Sequence, residues 1–291
     1  MKDFNIFCFG FGQVAKNFID KVDSENFKIK LSVTSRDRTE IKKYKTVVYD
    51  NFQFVDGKFD KNIIKKLKEA KYILISIPPI NQEDIVIKNF SKIIEGNKFK
   101  WITYLSSTGV YGNHNGDWVN EKSKTNPTSI NGINRLKAER LWLNLSEKRN
   151  LPIQIFRLSG IYSNQNNILT RLKSGSAKII NKKNHFFSRI HVEDIANILF
   201  KSLQNLKKKE IYNISDDKPA SSEEIALYGS KLLNIRMPET VKLSKTDNKV
   251  LKNFYKDSKK VSNKKMKIFF SYELKYPTYI EGLKYIRDNF I

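Results

Sequence analysis

The chain has 291 residues, 40% hydrophobic and 12% aromatic, with one cysteine and a formal net charge of +24. That composition excludes a disordered chain and an internal disulfide, and the length suits one large domain or one domain with a smaller lobe. The lysines are spread along the chain without an Arg-rich arm or an RNA-binding signature, so the charge reads as a lysine-rich surface and nucleic acid is not an expected partner.

No apolar run is long enough to cross a bilayer, and the longest, Tyr72 to Ile80, already contains two prolines. A soluble, cytoplasmic protein is expected. The histidines His114, His185 and His191 are scattered and no zinc spacing is present, so no metal site is expected. Cys8 lies inside an apolar run and reads as a buried, inert thiol.

The first strand is expected over Asn5 to Phe9. It stops at Gly10-Phe11-Gly12-Gln13-Val14-Ala15, and a helix from about Gly12 to Val22 follows, with Val14, Phe18, Ile19 and Val22 on one face. This Gly-x-Gly-x-x-Ala turn has the chemistry of a pyrophosphate cradle. Gly10 permits the turn, Gly12 leaves no Cβ in the way, and Ala15 lets the helix pack on the strand. The first-turn N–H groups, from Gln13 and Val14 among others, are then expected to face the phosphates at the positive end of the helix dipole.

A second strand, Lys28 to Val33, ends in Thr34-Ser35-Arg36-Asp37-Arg38, and a third, Thr46 to Tyr49, ends at Asp50. A helical segment with Ile63, Ile64 and Leu67 leads to a fourth strand, Tyr72 to Ile77, stopped by Pro78-Pro79. A helix with Val86, Phe90, Ile93 and Ile94 ends at Gly96, which suits a C′ residue. Strand five, Trp101 to Leu105, runs into Ser106-Ser107-Thr108-Gly109-Val110-Tyr111-Gly112. A long helix over about Ile133 to Glu147 and a strand over Ile153 to Arg157 complete the alternation. Strands this continuously apolar, alternating with helices, mean a doubly wound α/β fold with a parallel sheet covered on both faces. Ligands then bind at the carboxyl ends of the strands.

Beyond Arg157 the texture changes. Ser163 to Arg189 is polar and basic, a helix is expected over Val192 to Leu206, and a short strand over Ile211 to Ile214. Ser221-x-x-Glu224 has the form of a capping box. The domain expectation is a dinucleotide-binding domain over 1–162 and a small substrate lobe over 163–291, with some segments returning to the core.

The end of the second strand bears on which dinucleotide binds. An acid there serves the ribose 2′-OH of NAD, whereas an arginine grips the 2′-phosphate of NADP with paired hydrogen bonds. Ser35 and Arg36 favour NADP, while Asp37, one residue on, keeps NAD as the alternative. Asp50 joins the cofactor set, and Ser76, Ile77 and Pro78 are expected to line the adenine-side crevice.

Ser106-Ser107-Thr108-Gly109-Val110-Tyr111-Gly112 resembles the extended short-chain dehydrogenase/reductases, the NAD(P)-dependent epimerase/dehydratases. Arg157-Leu158-Ser159-Gly160-Ile161-Tyr162, His191-Val192-Glu193-Asp194-Ile195-Ala196 and Tyr212-Asn213-Ile214-Ser215-Asp216-Asp217 agree in order and spacing. Gly112 to Glu121 and Tyr276 to Leu283 are similar to an atypical, YeeZ-like branch. The resemblance implies a Rossmann-type cofactor domain, a small C-terminal substrate lobe, a small-molecule substrate, and a homodimer through helices that include Ile133 to Glu147.

The family's chemistry uses a Tyr-x-x-x-Lys pair after strand five, with a Ser or Thr at the strand's end. Ser107 fits the hydroxyl. Aligned through Ala138-Glu139, the tyrosine position is Asn131 and the lysine position is Arg135. Asparagine exchanges no proton near neutral pH, and arginine keeps a charge without acting as a base. Three readings stay open: catalysis with other groups, Ser107, Tyr111 and Arg135 being the candidates; reduction of a carbonyl or oxidation of an alcohol, with the proton supplied by substrate or water; or NADP(H) binding without turnover. Epimerase or dehydratase chemistry on a nucleotide sugar is the enzymatic alternative. Ser106, Ser107 and Arg135 are expected near the nicotinamide ribose. His114 reads as a loop histidine, His191 and Asp194 as structural, and Lys173, Lys178, Lys182, Lys183 and Arg189 suit an anionic substrate.

Overall fold

In the computed structural model, which describes residues 2–80, 82–180, 182, 184–241 and 255–291, the apolar runs found in the sequence become the inner strands of one sheet. In chain order these strands are β1 (Asp3–Phe9), β2 (Lys28–Ser35), β3 (Glu40–Tyr44), β4 (Val47–Val55), β5 (Lys58–Phe59), β6 (Tyr72–Ile75) and β7 (Trp101–Ser107). Later come β8 (Trp118–Val119), β9 (Ile153–Leu158), β10 (Gly160–Tyr162), β11 (Ile179–Ile180), β12 (Arg189–His191), β13 (Glu210–Ile214), β14 (Thr240–Val241) and β15 (Lys260–Val261). Among the described residues a nine-stranded sheet has the order β13-β9-β7-β6-β1-β2-β4-β3, with β5 paired to β4. The β1–β2, β1–β6, β2–β4 and β6–β7 pairs are parallel, and β3 and β5 run antiparallel to β4. The chain therefore reverses its direction of travel across the sheet between β1 and β6, the kind of switch point beside which open α/β sheets bind ligands.

Among the described residues the helices are α1 (Gln13–Ser24), α2 (Asn62–Glu69), α3 (Ile85–Glu95), α4 (Ile130–Arg149), α5 (Ile168–Lys173), α6 (Val192–Ser202), α7 (Ser222–Leu233), α8 (Lys264–Phe270) and α9 (Tyr279–Phe290). Helix α1 buries Val14, Ala15, Phe18, Ile19 and Val22, the face its periodicity marks. Cys8 is buried, and burial pushes its thiol up, so it stays protonated and inert.

Two compact units result. One comprises Met1–Ser107, Asn134–Arg157 and Ile195–Tyr212, and the other Thr108–Ile133, Leu158–Asp194 and Asn213–Ile291. The first has a core that includes Phe7, Phe9, Phe90, Tyr104, Trp142 and Ile155. The second centres on Tyr162, Leu169, Ala226, Tyr279, Leu283 and Ile286. Its short strands pair in parallel as β10–β12, β11–β14 and β15–β8.

Several boundaries differ from the sequence reading. The third expected strand does not end at Asp50: β4 continues through Val55, burying Asn51, Phe52 and Phe54. Strand β3 was not expected, because its residues alternate between exposed and half-buried and carry no apolar signal. β6 stops at Ile75, two residues early, and α6 ends at Ser202 rather than Leu206. Gly96 closes α3 with φ −84°, an ordinary backbone that needs no glycine. At Ser221 only half of the capping box forms. Its side chain accepts from Glu224 N at 3.0 Å, while the Glu224 carboxylate accepts from Tyr279 Oη at 2.7 Å. The reciprocal box lies instead at Thr278 and Glu281, opening α9.

Candidate functional site

The glycine turn follows β1. Gly10 has φ +88°, and a Cβ there would come within 2.7 Å of Ser76 Oγ and 2.8 Å of Ile77 Cγ2. Both requirements select glycine. Two hydroxyls from the neighbouring strands hold its backbone. Gly10 N–H donates to Thr34 Oγ1 at 3.0 Å, and Ser76 Oγ donates across Phe9 O and Gly10 O at 3.0 and 3.1 Å. Ile77 N–H donates to Phe9 O at 3.2 Å, and Pro78 is exposed beyond it. The residues named for the adenine-side crevice thus sit against the turn, with the Ser76 hydroxyl engaged by the turn itself.

Gly12 is the N-cap of α1. A Cβ built there meets nothing within 4 Å, no side chain caps the helix, and its first turn holds no acidic residue. Val14 and Ala15 are buried beneath the turn, and Gln13 is exposed. Open space over an uncapped helix N-terminus fits an anionic group such as a pyrophosphate.

At the end of β2, Ser35 Oγ accepts from Asp37 N–H at 3.1 Å. Asp37 forms an ion pair with Lys42 Nζ at 2.7 Å, and the hydrogen bond from Lys42 holds its carboxyl below the usual range. Lys42 belongs to β3, the strand the sequence did not disclose. Arg38 pairs with Glu40 at 3.1 Å. The Arg36 side chain is exposed and, among the described residues, makes no hydrogen bond or ion pair. Asp50 lies in the middle of β4, opposite Ser32, and binds Lys66 at 2.8 Å; it is not at the carboxyl edge where the sequence placed it.

The end of β7 holds a second cluster. Ser106 is buried, and its Oγ donates to Glu139 Oε1 at 2.5 Å. Glu139 also receives Arg157 through Nε at 3.0 Å and Nη2 at 2.7 Å, a buried forked pair. One helical turn before Glu139, Arg135 donates from Nη1 to Leu105 O at 2.5 Å and to Tyr104 Oη at 3.2 Å. Ser107 is half-buried at the strand's last position. Thr34, Tyr104 and Glu139 were not singled out as site residues from sequence. Only Glu139 left a signal, standing four residues after Arg135.

In the second unit Tyr111 is fully buried, and its Oη donates to Asn213 Oδ1 at 2.7 Å; Asn213 N–H in turn donates to Glu121. His114 Nε2 lies 3.1 Å from Lys124 O. Asp194 accepts from Tyr272 Oη and from the backbone N–H groups of Lys275 and Tyr276, a structural knot. His191 is buried against Tyr276 and Tyr162, and burial lowers its imidazole to about 4. Lys173 and Lys178 are exposed. Arg189 donates to Phe187 O and Ala220 O, and burial lowers it to about 10. Lys182 donates to Tyr255 O and lies on the wall of a cavity of about 400 Å³ shared with Ser221, Ser222 and Tyr255. Lys183 lies outside the described residues. No cluster that could hold a metal ion occurs among the described residues, and no described helix is long and apolar enough to cross a membrane.

A sheet whose strand order reverses between β1 and β6, a glycine turn after β1 and an open helix N-terminus define a Rossmann-type fold. Residues 91–215 match the model of the NAD dependent epimerase/dehydratase family. The resemblance read from the sequence holds at that level, while nothing singles out the YeeZ-like branch. No curated protein matches the chain in sequence. Among solved structures, a functionally unknown conserved protein from Silicibacter pomeroyi is 28% identical, with 99% of each chain covered and a TM-score of 0.86. The dTDP-glucose 4,6-dehydratase from Bacillus anthracis, in complex with NAD, is 18% identical over 99% of this chain and 96% of that one, with a TM-score of 0.78. The UDP-glucose 4-epimerase of Thermotoga maritima, with UDP-glucose, is 14% identical over 100% and 98%, with a TM-score of 0.80.

Proposed function

We propose that the chain binds a nicotinamide dinucleotide on the Gly10–Ala15 turn and catalyses the NAD(P)-dependent reduction of a carbonyl or oxidation of an alcohol. The observation that carries this is the clamped Gly10 beside the open Gly12. One turn is held in a shape that only glycine adopts freely by Thr34 and Ser76, and space is kept where a phosphate would meet the N–H groups of α1.

NADP is the favoured cofactor. The Asp37 carboxylate is paired with Lys42, which leaves Arg36 as the uncommitted charge at the end of β2. When bound, the cofactor supplies hydride transfer. The chain's own residues then bind and orient. The α1 N-terminus holds the pyrophosphate, Arg36 the 2′-phosphate, and Arg135 the nicotinamide-side ribose. Ser107 Oγ orients a carbonyl or hydroxyl by hydrogen bonding. Tyr111, buried and bonded to Asn213, is assigned to packing. Lys182 and Arg189 suit an anionic substrate.

The family match favours a second reading, turnover of a nucleotide sugar as in the dehydratase and epimerase relatives. Asn131 weighs against it, since that chemistry leans on a proton-exchanging side chain there.

Fluorescence titration with NADPH and NADH tests the binding. Arg36→Ala is expected to weaken NADPH by about tenfold or more, the loss of a charge-assisted pair, and to leave NADH nearly unchanged. Failure of the wild type to bind either nucleotide sinks the proposal. Turnover on carbonyl, UDP-sugar and dTDP-sugar panels, with Ser107→Ala as control, separates the two enzymatic readings. Binding with no turnover on any panel points instead to a regulatory dinucleotide-binding protein.

A further inference from the structure

Arg135 stands where the resembled family carries lysine, and its guanidinium is fixed. Nη1 donates to Leu105 O and Tyr104 Oη, and the group lies 5.6 Å over the Tyr104 ring. Among the described residues its Nε and Nη2 make no hydrogen bond. Tyr104 is itself immobilised. It is fully buried, and its ring stacks on Trp142 at 6.1 Å with 27° between the planes. The Trp142 indole N–H donates to Asp84 Oδ2 at 2.9 Å. Asp84 Oδ1 accepts from Val86 N and Ile87 N, capping α3. A continuous run of side chains thus leads from the start of α3 to the guanidinium at the end of β7.

We infer that Tyr104 is a positioning residue for Arg135: it sets the plane of the guanidinium so that the remaining N–H groups present a fixed pair of donors to the vicinal hydroxyls of a ribose. A free arginine side chain loses rotamer entropy on being ordered, and here the guanidinium is held by Leu105 and Tyr104 before a ligand arrives. Lysine, a point charge on a flexible stem, cannot stack in this way, so the two are not interchangeable at this position. The inference rests on the proposed reading that Arg135 faces the nicotinamide-side ribose.

The test uses the full chain and two ligands: NADPH, and 2′,5′-ADP, which lacks that ribose. Tyr104→Phe keeps the ring and removes the hydroxyl. It is expected to weaken NADPH by about fivefold, a loss of preorganisation smaller than the roughly tenfold or more of a direct hydrogen bond to a charged group, and to leave 2′,5′-ADP unchanged. In an Arg135→Met background Tyr104→Phe should add nothing. Equal weakening of both ligands, unchanged NADPH binding, or the full effect persisting in Arg135→Met would each overturn the inference. A wild type that binds neither ligand removes the underlying reading, whereas a wild type that binds both while Tyr104→Phe is silent removes this inference alone.

Discussion

Thr34 Oγ1 accepts the backbone N–H of Gly10 at 3.0 Å, from a side chain that is 1% exposed. Removing the acceptor leaves a buried donor without a partner. Thr34→Val, nearly equal in shape, is therefore expected to destabilise the chain by about 1–3 kcal/mol. Thr34→Ser should recover most of that. Urea unfolding of the three proteins measures it, and a silent Thr34→Val would mean the turn does not depend on this bond.

Gly10 and Gly12 make opposite predictions. Gly10→Ala meets a positive φ and contacts of 2.7 and 2.8 Å, so it should lower the thermal midpoint and nucleotide binding together. Gly12→Ala, at φ −83° with nothing within 4 Å, should fold with an unchanged midpoint and lose NADPH affinity. Undiminished binding in Gly12→Ala would place the pyrophosphate elsewhere.

The Glu139–Arg157 pair has both side chains at most 4% exposed. Glu139→Gln strands a buried guanidinium and should cost about 3–5 kcal/mol in chemical denaturation. Ser106→Ala removes one of the Glu139 donors but leaves the forked pair, and should cost distinctly less.

Acidification should destabilise the chain through His191. Burial holds its imidazole at about 4 in the folded state, against an ordinary 6.5. Between those values the unfolded chain takes up a proton that the folded chain refuses. Its contribution is fully present above about 6.5 and is lost as pH falls toward 4, with a slope of at most about 1.4 kcal/mol per pH unit. Urea midpoints at pH 7, 6 and 5 should fall in that order, and His191→Asn should flatten the decline. Parallel declines in the two proteins would contradict the assignment.

Much of the first unit was legible because its strands are apolar runs and its helices keep a 3.6-residue period. Helix α1 and the glycine turn were readable to within two residues. The hairpin of β3 and β4 was not. Glu40-Ile41-Lys42-Lys43-Tyr44 is an edge strand whose residues are exposed or half-buried, so burial wrote no pattern into it. That omission hid Lys42, and with it the pairing of Asp37 that bears on cofactor choice. The hydroxyls of Ser76 and Ser106 looked available for a ligand, because sequence carries no record of the carbonyl or carboxylate that would engage them. Tyr104 lay inside Trp101 to Leu105, a run apolar but for Thr103, and nothing in that run distinguishes a ring that merely packs from one that orients an arginine.

The forked contact between Glu139 and Arg157 also acts as a register lock. A slide of α4 by one residue would swing Glu139 about 100° round the helix axis and away from its partner. It would move Arg135 off Leu105 O in the same stroke. Insertions or deletions in the preceding segment, residues 113–128, must therefore be taken up within that segment rather than passed along the helix. A length change absorbed there leaves the arginine at the end of β7 where it is.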